Sequence, residues 1–382
     1  MKKIIILIAL CAVCCCKNED QSKKEPAPQP TQTGLLKGGD ISMLTLVEDN
    51  GGKYYWDGVE TDCVKGLAAN GFDIVRLRLY NDPGNAAYTP SSRLPKGYQD
   101  EEDILALAKR AKDAGMQIEL TFHYSDYWTN GAMQTKPHSW ENLSFDQLKK
   151  AVYTYTRDYL KRLAVQGTLP EYVSLGNETQ AGILYPDGSV DNMSNLCALY
   201  NAGAKAVREV APDAKIIIHS DDAGNFDKYD WLHSELVAGK VDYDIIGGSY
   251  YPYWTGLYPA AIIDWAKKIY AKFGKDIFIM EIGYAWSKNK HDGWTGQLEH
   301  NHPYPDELMT PEGQKAFMDE MFSAIASNPD AHITGLLYWD PIFIPAGDTG
   351  WEKGGTNVVS NTTLFDFEGN ALPVFESFKK QY

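Results

Sequence analysis

Glu178 and Glu281 are the residues of this chain best placed to do chemistry. Each closes a short apolar run that reads as a β-strand, Tyr172–Glu178 and Asp276–Glu281. Strand alternation puts Ser174, Gly176 and Glu178 on one face, and Ile277, Ile279 and Glu281 on one face of the other run. Two inward carboxyl groups on nearby strand tops are what cleavage of a glycosidic bond requires. One protonates the leaving oxygen, and the other attacks the anomeric carbon or positions water there. Their proton affinities must be split. A negative Glu281 raises the proton affinity of Glu178, which then serves as general acid, while Glu281 stays ionised beside donors such as Arg78 or a tyrosine.

Such a pair needs a frame that brings distant strand ends together. From Leu35 onward, apolar runs alternate with amphipathic stretches eight times, the form of repeated βα units closing a (β/α)8 barrel. The strands are expected at Leu35–Ile41, Asp73–Tyr80, Met116–Tyr124, Tyr172–Glu178, Lys215–His219, Tyr243–Ser249, Asp276–Glu281 and His332–Trp339. Helices are expected at Val59–Ala69, Glu101–Ala114, Leu148–Val165, Leu196–Val210, Ala260–Phe273 and Gly313–Ala326, with a short one at Trp231–Val237 and a last at Pro373–Tyr382. A doubly wound open sheet would carry a glycine-rich phosphate turn after its first strand, and Gly38-Gly39-Asp40 is not one.

Barrel enzymes work where strands end and βα loops begin. At that address stand Asp40, Arg78, His123, Tyr124, Asp126, Asn177, Glu178, His219, Tyr251, Glu281, Trp339 and Asp340. Aromatic residues make up 12% of the chain, with 10 Trp and 24 Tyr, so Trp128, Tyr251, Trp254, Trp286 and Trp339 are candidate platforms for the apolar faces of sugars. His123 and Asp126 are expected to bond sugar hydroxyls or orient the nucleophile, and Glu119 with Arg76 to form a buried barrel pair. The balance of 36 Lys+Arg against 51 Asp+Glu gives a formal charge of −15, which argues against nucleic acid or an anionic membrane face as partner.

The strand-end motifs also carry a resemblance. Lys37-Gly38-Gly39-Asp40-Ile41-Ser42, Val75-Arg76-Leu77-Arg78-Leu79, Phe122-His123-Tyr124-Ser125-Asp126, Leu175-Gly176-Asn177-Glu178, Gly247 to Trp254 and Met280-Glu281-Ile282-Gly283-Tyr284-Ala285-Trp286 resemble, in order, the motifs of glycoside hydrolase family 53. The likeness spans essentially the whole barrel. It implies an endo-acting, retaining enzyme for β-1,4-galactan, with Glu178 as acid/base, Glu281 as nucleophile and Asn177 bonding the sugar 2-hydroxyl. It implies no required cofactor and a monomer. A structural calcium, as some relatives bind, falls to Asn289, His291 and Asp292 in the loop after strand seven, which lacks the run of aspartates such a site favours. The alternatives are a glycan-binding protein on an inactive barrel, or a barrel hydrolase for another β-linked glycan such as mannan.

Ahead of the barrel, Lys2 and Lys3 precede the apolar run Ile4–Val13 and Cys14, Cys15 and Cys16, the pattern of a secretory signal rather than a membrane span. Cysteine in that place resembles a lipobox, and Cys16 is the favoured anchor. Lys17-Asn18-Glu19-Asp20 after it looks like the acidic export tag of some Gram-negative lipoproteins. The expected divisions are a signal at 1–16, a flexible Pro- and Gln-rich linker at 17–33 and the barrel at 34–382, held on the outer membrane at the cell surface. Cys63 and Cys197 read as buried small hydrophobes.

Overall fold

The computed structural model describes residues 34–87, 94–289, 291, 298–347, 349–351 and 357–382. Cys16, the linker and Asp292 lie outside the described residues. Eight parallel strands close a barrel, each hydrogen-bonded to its neighbours in sequence order: β1 (Leu36–Asp40), β2 (Ile74–Leu79), β3 (Gln117–Phe122), β4 (Tyr172–Leu175), β5 (Lys215–Ser220), β6 (Ile245–Tyr250), β7 (Asp276–Ile282) and β8 (Ile333–Tyr338). This is the (β/α)8 barrel expected from the alternation of patterns. Among the described residues, no helix is long and apolar enough to cross a membrane.

The connecting helices begin where side chains can satisfy the free N–H groups of a first turn. Asp100 caps α3 (Glu101–Asp113) by accepting from Glu102 and Asp103, and Ser144 with Gln147 forms a capping box on α4 (Phe145–Gln166). Asn225 caps α6 (Phe226–Ala238), which is therefore longer than the apolar stripe from Trp231 suggests. The helix α5 (Met193–Val210), and Pro259–Phe273 and Pro311–Ala326, follow β4, β6 and β7 as expected, and Phe375–Lys379 closes the ring. The helix α1 (Leu44–Asp49) was not expected. The helix expected from Val59, α2 (Cys63–Ala69), starts only at Cys63, because Val59–Glu60 pairs with Tyr55–Trp56 in a hairpin and Asp62 supplies the cap.

Two apolar layers hold the fold. Val75, Leu77, Ile118, Leu120, Phe122, Val173 and Leu175 point outward and pack against the helices. Inside, Leu36, Ile74, Ile217, Ile245, Phe278, Met280 and Leu337 form an apolar plug. Gly335 makes room for it, since a Cβ there would come within 2.1 Å of the Phe278 ring. Cys63 and Cys197 are free and buried, as read from the sequence.

Strand alternation brings most inward residues to the right face, but it fails at both key carboxylates. Regular pairing on β4 stops at Leu175, and the chain then turns through Gly176 (φ 96°) and Glu178 (φ 48°), both left-handed. On β7 the inward residues are Phe278 and Met280, so Ile277 and Ile279 face the helices, contrary to the parity expected for Glu281. Register shifts between Ile279 and Ile282 against β8, and between Gly248 and Ser249 on β6, displace the phase by one residue. That irregularity turns Glu281 inward directly after Met280.

Candidate active site

Above the plug, the barrel carries charge. Arg76 on β2 pairs in register with Asp40 on β1 and Glu119 on β3, and its Nε lies 3.6 Å from a carboxylate oxygen of each. All three side chains are buried. Burial opposes the charge on Arg76, but Glu281, Asp40 and Glu119 outweigh it and hold the guanidinium ionised. The Arg76–Glu119 pair is thus present, yet the stronger contacts of Arg76 lie upward. Nη1 donates to Glu281 Oε1 at 2.7 Å and Nη2 to Asn177 Oδ1 at 2.5 Å. One guanidinium fork therefore aligns the ends of β4 and β7.

Glu281 is met on its other oxygen by the Tyr251 hydroxyl at 2.8 Å. Burial and the Glu281 charge keep that phenol protonated, so it serves as a donor. Tyr251 was expected as a stacking platform; its hydroxyl faces the carboxylate instead, while its ring packs 4.7 Å from Trp254. The Asn177 amide is oriented without ambiguity, because a guanidinium can only donate and so must meet Oδ1. Nδ2 donates one hydrogen to the Thr129 carbonyl at 2.8 Å, leaving its second N–H for another acceptor.

Glu178 is partly open to solvent and accepts from Ser249 Oγ at 2.8 Å. Its backbone is clamped by Gln134 Nε2, which donates to the carbonyls of Asn177 and Glu178, and by Thr179 N, which donates to the His219 carbonyl at 2.7 Å. Burial, then the Glu281 charge, push the Glu178 carboxyl up to about 8. One carboxylate oxygen from Glu178, one from Glu281 and a ring nitrogen of His219 lie within 4.8 Å of one another. An approach that close is compatible with the carboxyl pairs of retaining glycosidases, roughly 5 Å apart, and falls short of the gap of roughly 6.5–9.5 Å that admits a water between them.

The other candidates divide into a buried support and open walls. Asp40, Arg78 and Asp340 are completely buried. Asp40 accepts from the Ser42 backbone and hydroxyl, while Arg78 donates to Gln99 and to Asp340. The Arg78 guanidinium lies 4.4 Å below the Trp339 ring and 5.0 Å from Trp128, so it carries the tryptophans rather than lining the cleft. Trp351, which the sequence reading missed, joins them 5.2 Å from Trp128, its indole N–H donating to Asp340 at 2.8 Å. On the other side Trp254 is 71% exposed beside Tyr251 and Tyr253.

Three further expectations need correction. Tyr124 turns outward at φ 50° and its hydroxyl bonds Thr156 in α4, so it does not face the cleft. Asp126 ties loops together, accepting from Asn85 and the His138 backbone. Trp286 is a packed anchor, 8% exposed, against Phe367 and Thr363. His123 stacks 4.2 Å from Tyr80 and bonds Thr129, the residue that holds Asn177. Of the calcium candidates, Asn289 bonds Ser287 through its backbone and the His291 ring packs 5.5 Å from Phe367. Among the described residues, no His, Cys, Asp or Glu of that loop gathers with two others at metal-ligand spacing.

Besides Trp351, the site residues to which sequence reasoning gave no role in the site are Arg76, Ser249, His219 and Gln99. Inward parity with Arg78 could have found Arg76, and Ser249 lies within the Gly247–Trp254 motif; nothing local marks Gln99.

Comparison with known proteins places the chain in a family. The chain is 31% identical over 362 residues to the arabinogalactan endo-beta-1,4-galactanase of Cellvibrio japonicus, covering 92% of each. It is 29% identical over 381 residues to the endo-beta-1,4-galactanase of Bacillus subtilis, covering 90% of this chain and 85% of the relative. The Ignisphaera aggregans GH53 catalytic domain superposes with a TM-score of 0.85 at 32% identity, covering 93% of this chain and 98% of that one. The model of glycosyl hydrolase family 53 matches residues 36–378, and the chain belongs to that family.

Proposed function

We propose that this chain is an endo-acting, retaining β-1,4-galactanase that hydrolyses galactan and the galactan backbone of type I arabinogalactan. The observation that carries the reading is the close approach of the Glu178 and Glu281 oxygens, within 4.8 Å, in a barrel of this family. Protonated Glu178 gives its proton to the glycosidic oxygen while Glu281 attacks the anomeric carbon, forming a glycosyl-enzyme and releasing the leaving chain. Glu178, now a carboxylate, takes a proton from water, which attacks the same carbon and frees Glu281. The second Nδ2 hydrogen of Asn177 is placed for the sugar 2-hydroxyl, and Trp128, Trp339 and Trp254 for stacking on galactose faces.

Glu178→Gln and Glu281→Gln should each reduce turnover of β-1,4-galactan by roughly 10³-fold or more with folding intact. Chromatography of wild-type digests should show a ladder of short galacto-oligosaccharides from galactan and no products from β-mannan or xylan. An inactive glycan-binding barrel would bind galactan and leave its length unchanged. Cleavage of mannan in preference to galactan would overturn the substrate.

The N-terminal sequence supports a further part of the reading, a lipid anchor on Cys16 that holds the barrel at the outer-membrane surface on the linker 17–33. Lipid chains bind by burying methylenes, at about 0.8 kcal/mol each, which suits a protein whose charge of −15 repels an anionic surface. Cys16→Ser should release the protein from the membrane fraction, and retention of that variant would overturn the anchor while leaving the enzymology intact.

A further inference from the structure

We propose that His219 and Ser249 form a one-way hydrogen-bond chain ending on Oε1 of Glu178, which confines the transferable proton of Glu178 to Oε2. This inference rests on Glu178 being the acid/base. His219 Nε2 lies 2.8 Å from Ser249 Oγ, and Ser249 Oγ lies 2.8 Å from Glu178 Oε1. His219 and Ser249 are buried. They point inward from adjacent strands β5 and β6, and Ser249 sits at the register shift of β6, opposite Glu281.

Direction follows from counting protons. A neutral imidazole carries one N–H, and burial together with the Arg76 charge holds His219 well below the ordinary histidine range, so it stays neutral. Nδ1 is buried with no hydrogen-bond partner among the described residues. A proton there would be an unsatisfied buried donor, the more costly of the two tautomers. The proton therefore sits on Nε2 and is donated to Ser249 Oγ. Ser249 must then turn its own O–H toward Glu178 Oε1. An oxygen already accepting that bond is the poorer proton site, so Oε2 carries the proton to the leaving oxygen and later takes one from water. The chain never reverses, although Glu178 changes charge twice in each cycle. Ser249 and His219 are positioning residues.

Other groups also act on Glu178. Glu281 on β7 and Asp221 after β5 raise its proton affinity, while Arg76 on β2 and the Ser249 bond lower it. Asp221 is paired with Lys228 at 2.8 Å, and the buried Tyr229 on α6 stays a neutral phenol. Removing Ser249 leaves all of these in place and deletes only a bond that favours the ionised form.

The test is the pH profile of kcat/KM on β-1,4-galactan for Ser249→Ala, Ser249→Thr, His219→Ala and Glu178→Gln, with melting curves as a check on folding. Ser249→Ala should move the alkaline limb upward by about half to one pH unit and lower kcat about tenfold. Ser249→Thr should restore the limb, and His219→Ala should move it in the same direction by less. A folded Ser249→Ala enzyme with its limb unmoved, or a limb not restored by threonine, overturns the chain. If Ser249→Ala does not fold, Ser249→Cys, a weaker donor, is read on the same limb by the same criterion. An active Glu178→Gln enzyme would instead overturn the acid/base assignment, so the two failures are distinguishable.

Discussion

Arg76 shows how much a single side chain can align. Its fork holds the proposed nucleophile through Glu281 Oε1 and fixes the amide of Asn177, while Asp40 and Glu119 on the flanking strands lie 3.6 Å from its Nε. Lysine would keep the charge but present one point donor in place of a planar fork, so it could not serve both partners. Arg76→Lys should therefore lower kcat on galactan about 100-fold while changing KM little, because the lost alignment matters most in the transition state. Steady-state kinetics on a folded variant check this, and a loss confined to KM would mean that Arg76 contributes only to binding. Sequence reading saw Arg76 only as part of a buried pair and gave the donor role to Arg78. Both arginines share one parity and both lie against the Trp339 ring, and only their height in the barrel gives Glu281 to Arg76 and Asp340 to Arg78.

Strands and loops set that height, and they were legible wherever the pattern is periodic. The barrel, its strand order and the inward faces of β2 and β3 follow from alternation and turn residues. Legibility ended where the two carboxylates are presented, because a left-handed turn on β4 and a register shift on β7 are aperiodic, and no two-residue period encodes them. The conclusion that both glutamates face the axis was right, but for Glu281 it came from a parity that the strand does not keep. Gly176 marks the first irregularity: φ is 96° and a Cβ would lie 2.5 Å from Thr179 Cγ2. Gly176→Ala should thus cost about 1–3 kcal/mol of stability and displace Asn177 and Glu178 together. Denaturant titration reads the first effect and kcat the second. An alanine variant with native stability and rate would show that the turn is relaxed.

Across the whole molecule, buried acids tie stability to pH. The carboxyls of Glu178, Glu119, Asp340 and Asp103 are pushed up to about 8, 7, 6 and 6, in each case chiefly by burial. Native protein therefore holds protons that the unfolded chain has released, and stability falls as pH rises through these values. His123, His219 and His233 are held low by burial and act oppositely, but only up to the ordinary histidine value of 6.5. Above that, the acids act alone. The melting temperature should decline from about pH 6.5 to about 8.5, and Glu178→Gln should recover roughly 2–4 °C at the upper end. Scanning calorimetry across that range checks both, and a flat profile would show that these acids are already ionised in the native protein.

The apolar plug of Leu36, Ile74, Ile217, Ile245, Phe278, Met280 and Leu337 fills the barrel beneath the carboxylates. This makes the cleft a one-mouthed vessel. Polysaccharide, departing fragment and incoming water all share one route, and nothing drains through the far end. Once the leaving chain has cleared the glycosyl-enzyme, whichever hydroxyl arrives first completes the cycle. At high oligosaccharide concentration sugar hydroxyls compete with water on the same path, and chromatography of such digests should then show products longer than the oligosaccharide supplied.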